Sequence, residues 1–247
     1  ANSCSLLDFD GDIVLTDPYF TERWHLHRGE PLGMTIGELP RLSAIVASHF
    51  FPNHWDTRAL AQFANKADTP IFVPTERMAT SARALGFQRV TRAAWGERHL
   101  ITDRLRLDVV EAHRGPGGQV NNYVLATDDV SVFFGGEARD LEPLRAYRAS
   151  HDAVDIAMLP VNGLHVPITG PQIVMNSDES VAGARALGAR TFVPIHDAYG
   201  HDLVWSFLRR GGSAEDAARV SSPGDAAVVS LATGVEWEFA HQGESER

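Results

Sequence analysis

An apolar run that breaks into a histidine-rich turn, Ser43-Ala44-Ile45-Val46-Ala47-Ser48-His49-Phe50-Phe51-Pro52-Asn53-His54-Trp55-Asp56, constrains this chain more than any other stretch. Small and β-branched apolar residues closed by Pro and Asn predict a buried strand emptying into a loop. In α/β folds such loops usually carry the chemistry, because the rigid strand fixes the backbone while the loop is free to present polar side chains. His49 and His54, just past the strand end, therefore point to a metal site.

The remaining pattern is read the same way. Cys4 to Phe9 and Asp12 to Thr16 form a hairpin around Asp10-Gly11, and Asp17-Pro18 ends its second strand. Tyr19 to Gly37 is a long irregular stretch holding Trp24, His25 and His27, and it reads either as a specificity wall over the site or as a solvent-exposed loop whose aromatics pack locally. Thr57 to Asn65 is a helix, Ile71 to Val73 a strand, and Glu76 to Leu85 a helix stopped by Gly86. An alternating strand through Arg104 to Val109 delivers His113, and a hairpin of Asn121 to Thr127 with Ser131 to Gly135 delivers Glu137. Leu141 to Ala149 is a helix, Ala153 to Leu159 a strand, and Pro160 to Met175 a loop containing His165. A helix capped at Asn176-Ser177 runs to Leu187, and the strand Thr191 to Ile195 delivers His196. Helices over His201 to Arg210 and Ala214 to Ala218, then a strand pair of Ala226 to Leu231 with Val235 to Phe239, close the chain. No Pro/Ser/Gly-rich linker interrupts it, so the expectation is an α/β fold, an αββα sandwich, in a single domain over residues 1–247.

Composition excludes several classes. A net charge of −10, with scattered arginines and no basic stripe, argues against a nucleic-acid partner. No apolar run is long enough for a membrane span, and no basic start followed by an apolar segment reads as a signal peptide. Cys4, the single cysteine, precludes an intrachain disulfide and suits a reducing cytoplasm, the expected location. The chain opens on Ala1 rather than methionine, and a short preceding strand stays open.

Asp17-Pro18, His49 and His54, His113, Gly135-Gly136-Glu137 and Pro194-Ile195-His196 follow one another as the landmarks of the metallo-β-lactamase-fold superfamily do. The chain resembles most the branch of ascorbate-6-phosphate lactonase and N-acyl-phosphatidylethanolamine phospholipase D. Its H-x-H-x-D-H signature is altered: Phe51 stands where the second histidine belongs and Asn53 where the aspartate belongs. The resemblance implies the αββα sandwich and a metal set of His49, His54, His113, Glu137 and His196, with Glu137 in the bridging position. It also implies that Asp17 lies beside the ligands, although a plain turn residue is the other reading. Asp56 matches an aspartate that orients a histidine, or it caps the following helix.

Electrostatics then limits the ion count. Two divalent ions about 3.5–4 Å apart repel strongly and need anionic ligands to offset this. One carboxylate remains here, so one divalent transition metal is expected, held by His54, His196 and Glu137 with His49 and His113 nearby. Zinc leads, with iron(II) or manganese(II) as alternatives. The candidate catalytic set is Glu137, Asp17 and Asp56, and the candidate substrate pocket holds Trp24, His27, Phe51, Asn53 and His165. The first reading is a hydrolase of an ester, lactone, amide or phosphodiester bond in a small molecule. Two others stay open: a mononuclear iron or manganese enzyme catalysing oxidation, rearrangement or cyclisation, and a binding protein with a vestigial site. Oligomeric state is not readable from these residues.

Overall fold

In the computed structural model, which describes residues 3–24, 27–115, 118–165, 170–197 and 211–240, the strands gather into two sheets. The first runs in the order β1 (Ser5–Phe9), β2 (Asp12–Thr16), β3 (Ala44–Val46), β4 (Ile71–Val73) and β5 (Val90–Arg92). Its first pair is an antiparallel hairpin and the others pair in parallel. The second sheet holds β6 (Arg98–Leu100), β7 (Arg106–Gly115), β8 (Gly118–Ala126), β9 (Ser131–Phe134), β10 (Ile156–Pro160), β11 (Thr191–Ile195) and β12 (Ala227–Val228). It is antiparallel from β6 to β9 and parallel from β9 to β12.

Side-chain alternation stacks the layers. Ala44 and Val46 face the core between the sheets, whereas Ile45 faces the helices α1 (Thr57–Gln62) and α2 (Glu76–Ala84). On β8, Tyr123 and Leu125 point between the sheets, while Val124 and Ala126 face α3 (Leu141–Ser150), α4 (Ser177–Leu187) and α5 (Ala214–Val220). Each fully buried Leu, Ile or Phe contributes about 1.5–3 kcal/mol, so a one-residue slip, which would expose a whole face, is strongly disfavoured. The result is the expected αββα sandwich. Among the described residues no helix is long and apolar enough to cross a membrane.

Three of the departures from the sequence reading concern how elements end. Helix α1 stops at Gln62 because Phe63 takes an extended conformation and buries its ring. His113 lies inside β7 rather than beyond its end, just after a bulge between Glu111 and His113. The expected closing strand pair is absent: β12 is a two-residue strand parallel to β11, and Val235 to Phe239 forms no ladder. The alternation in that last stretch is satisfied by packing instead, with Phe239 against the inter-sheet core and beneath Arg190. The helix expected over 201–210 and the position of His25 fall outside the described residues.

Candidate metal centre

Parallel strands of both sheets end at one edge of the sandwich, and their ends deliver the polar residues. From β2 comes Asp17, whose backbone is left-handed at φ 38° and whose N–H donates to Val46 O at 2.9 Å. Beyond β3 come Ser48 and His49, tied to the second sheet by Asn121 N–H donating to Ser48 O at 3.1 Å and by Tyr123 Oη donating to Ala47 O at 2.9 Å. Those bonds occupy Asn121 and Tyr123 in joining the sheets. Glu137 follows β9, and His196 follows β11 with φ 59°. Left-handed backbone in a non-glycine residue stores about 1–3 kcal/mol of strain and clusters at functional sites.

The centre is built around His54. Its Nδ1 lies 2.7 Å from Asp17 Oδ2, and its Nε2 lies 2.8 Å from Glu137 Oε1, close enough for a charge contact but not aligned as a hydrogen bond. Asp17 is held in turn: Ser48 N–H donates to Oδ1 at 2.6 Å, while Ser48 Oγ and Ser3 Oγ donate to Oδ2 at 2.6 and 2.8 Å. Gly136 lets this carboxylate approach, since a Cβ there would sit 2.5 Å from Asp17 Oδ2 and 2.6 Å from Ser48 Oγ. The His196 ring packs on His54 with centroids 5.1 Å apart, and its Nε2 is buried without a hydrogen-bond partner.

Burial alone would lower the His54 pKa, but the flanking Asp17 and Glu137 carboxylates outweigh it and raise it to about 10. Burial favours the neutral form of Glu137, yet the surrounding histidines, His54 first, pull it down to about 2. His49 and His196 lack such support, and burial depresses both to about 4. His113 is lowered by burial and then by Arg139. The His54 proton thus sits where a cation is electrostatically wanted.

These residues fit a metal ion. His49 Nδ1, His54 Nε2, His113 Nδ1 and His196 Nε2 are all buried without a hydrogen-bond partner, and each such orphan costs about 1–3 kcal/mol unless something satisfies it. His49, His54 and Glu137 offer ligand atoms within 4.8 Å of one another. All three belong to the expected ligand set, with His49 grouped here where His196 was expected beside His54 and Glu137; the His196 ring stacks on that of His54.

The other expected residues fall around this cluster unevenly. Asp56 is buried, but its Oδ2 accepts from the Phe20 and Thr21 amides and its Oδ1 from those of Arg58 and Ala59, so it caps α1 and clamps the loop rather than orienting a histidine. Phe51 is 48% exposed, its ring 4.9 Å from that of His49, because the turn in which Phe51 O accepts from His54 and Trp55 carries the side chain to the rim. Asn53 is buried in the same turn, Trp24 is 80% exposed, His27 lies 3.6 Å from Glu22, and His165 is half-buried beside Gly163 O. Ser3 and Ser48 escaped the sequence reading, since nothing in their spacing marks a serine as the partner of a distant aspartate. Ser48 carried one faint signal, its place between the strand and His49.

The family model of the β-lactamase superfamily domain matches residues 13–196, and the chain belongs to that family, the metallo-β-lactamase superfamily. An uncharacterized protein of Mycobacterium tuberculosis is 24% identical over 213 residues, 79% of this chain and 56% of that protein. The chain thus spans about half the length of the curated relatives it matches. The mitochondrial N-acyl-phosphatidylethanolamine-hydrolyzing phospholipase D of Saccharomyces cerevisiae is 28% identical over 101 residues, 38% of this chain and 21% of that one. The isothiocyanate hydrolase from Delia radicum gut bacteria superposes with a TM-score of 0.75 over 96% of this chain and 97% of that structure, at 18% identity, a likeness of fold.

Proposed function

We propose that this chain is a metal-dependent hydrolase that uses one divalent transition metal, zinc first, on an ester, lactone, amide or phosphodiester bond of a small molecule. The carrying observation is the ring of orphaned histidine nitrogens around Glu137. His49, His54 and Glu137 would hold the ion, with His113 and His196 at hand, and the altered positions 51 and 53 of the signature would limit the site to one. Zinc held there would supply Lewis acidity to the scissile bond and a nucleophilic water near neutral pH.

The chain's own residues set up the rest. Asp17 holds the Nδ1 proton of His54, so that Nε2 is presented as a donor to a cation. Glu137 brings the negative charge that balances the ion. His196 keeps a buried Nε2 with no hydrogen-bond partner, which would be able to accept a proton. Trp24, His27, Phe51, Asn53 and His165 would line the way in, and Asp56 would act by fixing the base of the 19–37 loop. We further propose one domain over residues 1–247 and a cytoplasmic setting, where Cys4, its thiol pushed up to about 11 by burial, stays inert.

Elemental analysis of protein purified without chelator or added metal tests this reading. One zinc per chain is expected; values near zero or near two would sink it. The grouping of two imidazoles with one carboxylate also suits mononuclear iron(II), or manganese(II), in an oxidative or rearranging enzyme. Oxygen uptake on adding iron would favour that second reading, and its absence alongside zinc-dependent hydrolysis the first.

A further inference from the structure

We infer that Ser3 is a positioning residue for His54, an inference that rests on the reading of His54 as a metal ligand. Ser3 is fully buried, and its Oγ donates to Asp17 Oδ2 at 2.8 Å while lying 3.0 Å from His54 Nδ1. A hydroxyl has one proton to give and lone pairs that accept. With its proton committed to Asp17, the Ser3 oxygen is left to accept from the His54 Nδ1–H. That proton therefore meets two acceptors, Asp17 Oδ2 at 2.7 Å and Ser3 Oγ at 3.0 Å, and is held on Nδ1. The ring then presents Nε2, 2.8 Å from Glu137 Oε1, to whatever cation occupies the centre.

The backbone fixes Ser3 independently of the histidine motif, since Thr16 Oγ1 donates to Ser3 O at 2.8 Å and places the serine beside Asp17. Ser48 provides an internal comparison. Its hydroxyl donates to the same Asp17 oxygen at 2.6 Å, yet among the described residues it serves Asp17 alone. A purely structural role, satisfying a buried carboxylate, is shared by both serines; contact with His54 Nδ1 belongs to Ser3.

The test is zinc affinity, measured by competition with a chromophoric chelator, together with spectra of ¹⁵N-histidine-labelled protein. Ser3→Ala should weaken zinc about tenfold, Ser48→Ala by less than about threefold, and Ser3→Thr, which keeps the hydroxyl, should recover most of the loss. Equal losses from the two alanine variants would overturn the assignment. The spectra give a readout that needs no folded variant: wild-type protein, zinc-loaded or metal-free, should show a His54 Nδ1 proton protected from solvent exchange, and its absence would also overturn the assignment. Wild-type protein that takes up no zinc would end the metal reading alone, because the Nδ1 proton and its faster exchange in Ser3→Ala still decide the role of Ser3.

Discussion

Glu137 and Asp56 are both buried carboxylates, yet they do different work. Glu137 offers its oxygen to the histidine cluster, whereas Asp56 has its oxygens on four backbone amides. Glu137→Gln should therefore weaken metal retention far more than Asp56→Asn, by tenfold or more on the order expected for changes at such a site. Equal losses in chelator competition would show that the ligands are misassigned. Titration follows from the same side chains. In metal-free protein, His49 and His196 titrate near 4 when folded and near 6.5 when unfolded. The unfolded chain therefore binds protons first as pH falls, and each histidine removes about 1.4 kcal/mol of stability per pH unit between those values. His54 acts in the opposite sense. Folded, it keeps its proton up to about 10, so its contribution is complete below about 6.5 and is lost as pH rises from there toward 10. Urea unfolding in the presence of chelator should show a stability maximum near pH 6.5, falling on both sides. A curve that is flat from pH 5 to 9 would contradict the assigned burial and pairing.

At the scale of elements, the stretch between β2 and β3 is held at several points, with Trp24 exposed between them. Its first residues are clamped by Asp56, its turn at Gly33 packs on the backbone of Gly234, and Glu30 bonds Thr233, while Trp24 projects into solvent. Replacing Trp24 and His27 by Ala should therefore impair turnover or ligand binding with a change in unfolding free energy within about 0.5 kcal/mol. A large loss of stability with intact activity would make the loop a structural cover. Asp56→Ala should behave differently, because it removes the α1 cap as well as the clamp. A cap contributes about 0.5–2 kcal/mol, and faster proteolysis within residues 19–37 should accompany the destabilisation. Unchanged proteolysis would show that Asp56 serves only the helix.

At the scale of the whole molecule, the centre joins the two sheets: His49 and His54 follow β3 of the first, and Glu137 and His196 follow β9 and β11 of the second. An ion held there would crosslink the layers and so favour the folded state. Free zinc at about a hundred times its dissociation constant should stabilise the protein by about 2.7 kcal/mol. For a chain of this size that is an upward shift in Tm of roughly 5–10 °C, reversed by chelator. Calorimetry that shows no shift at saturating zinc would place the metal outside the folding equilibrium and against this site.

Local patterning was sufficient for much of this. The alternation along Arg104 to Val109, the Asp10-Gly11 turn and the Asn176 cap are near-neighbour effects, so strands, hairpins and α4 could be read from the residues, as could the arrival of His49, His54, Glu137 and His196 at strand ends. The order of those landmarks also carried the family and the sandwich. What the residues could not show is how side chains from distant strands share charge. Asp17 and Asp56 are both aspartates beside a turn, and only packing decides that one meets His54 while the other meets amides. Ser3 becomes part of the centre because β1 lies beside β2, a contact that no local spacing records. Phe51 turns to the rim for the same reason: direction within a turn is set by its hydrogen bonds and by the layer packed across from it. Local periodicity thus decided most of the elements and their order, and the meeting of two sheets decided where several of them end and which of the delivered side chains come together.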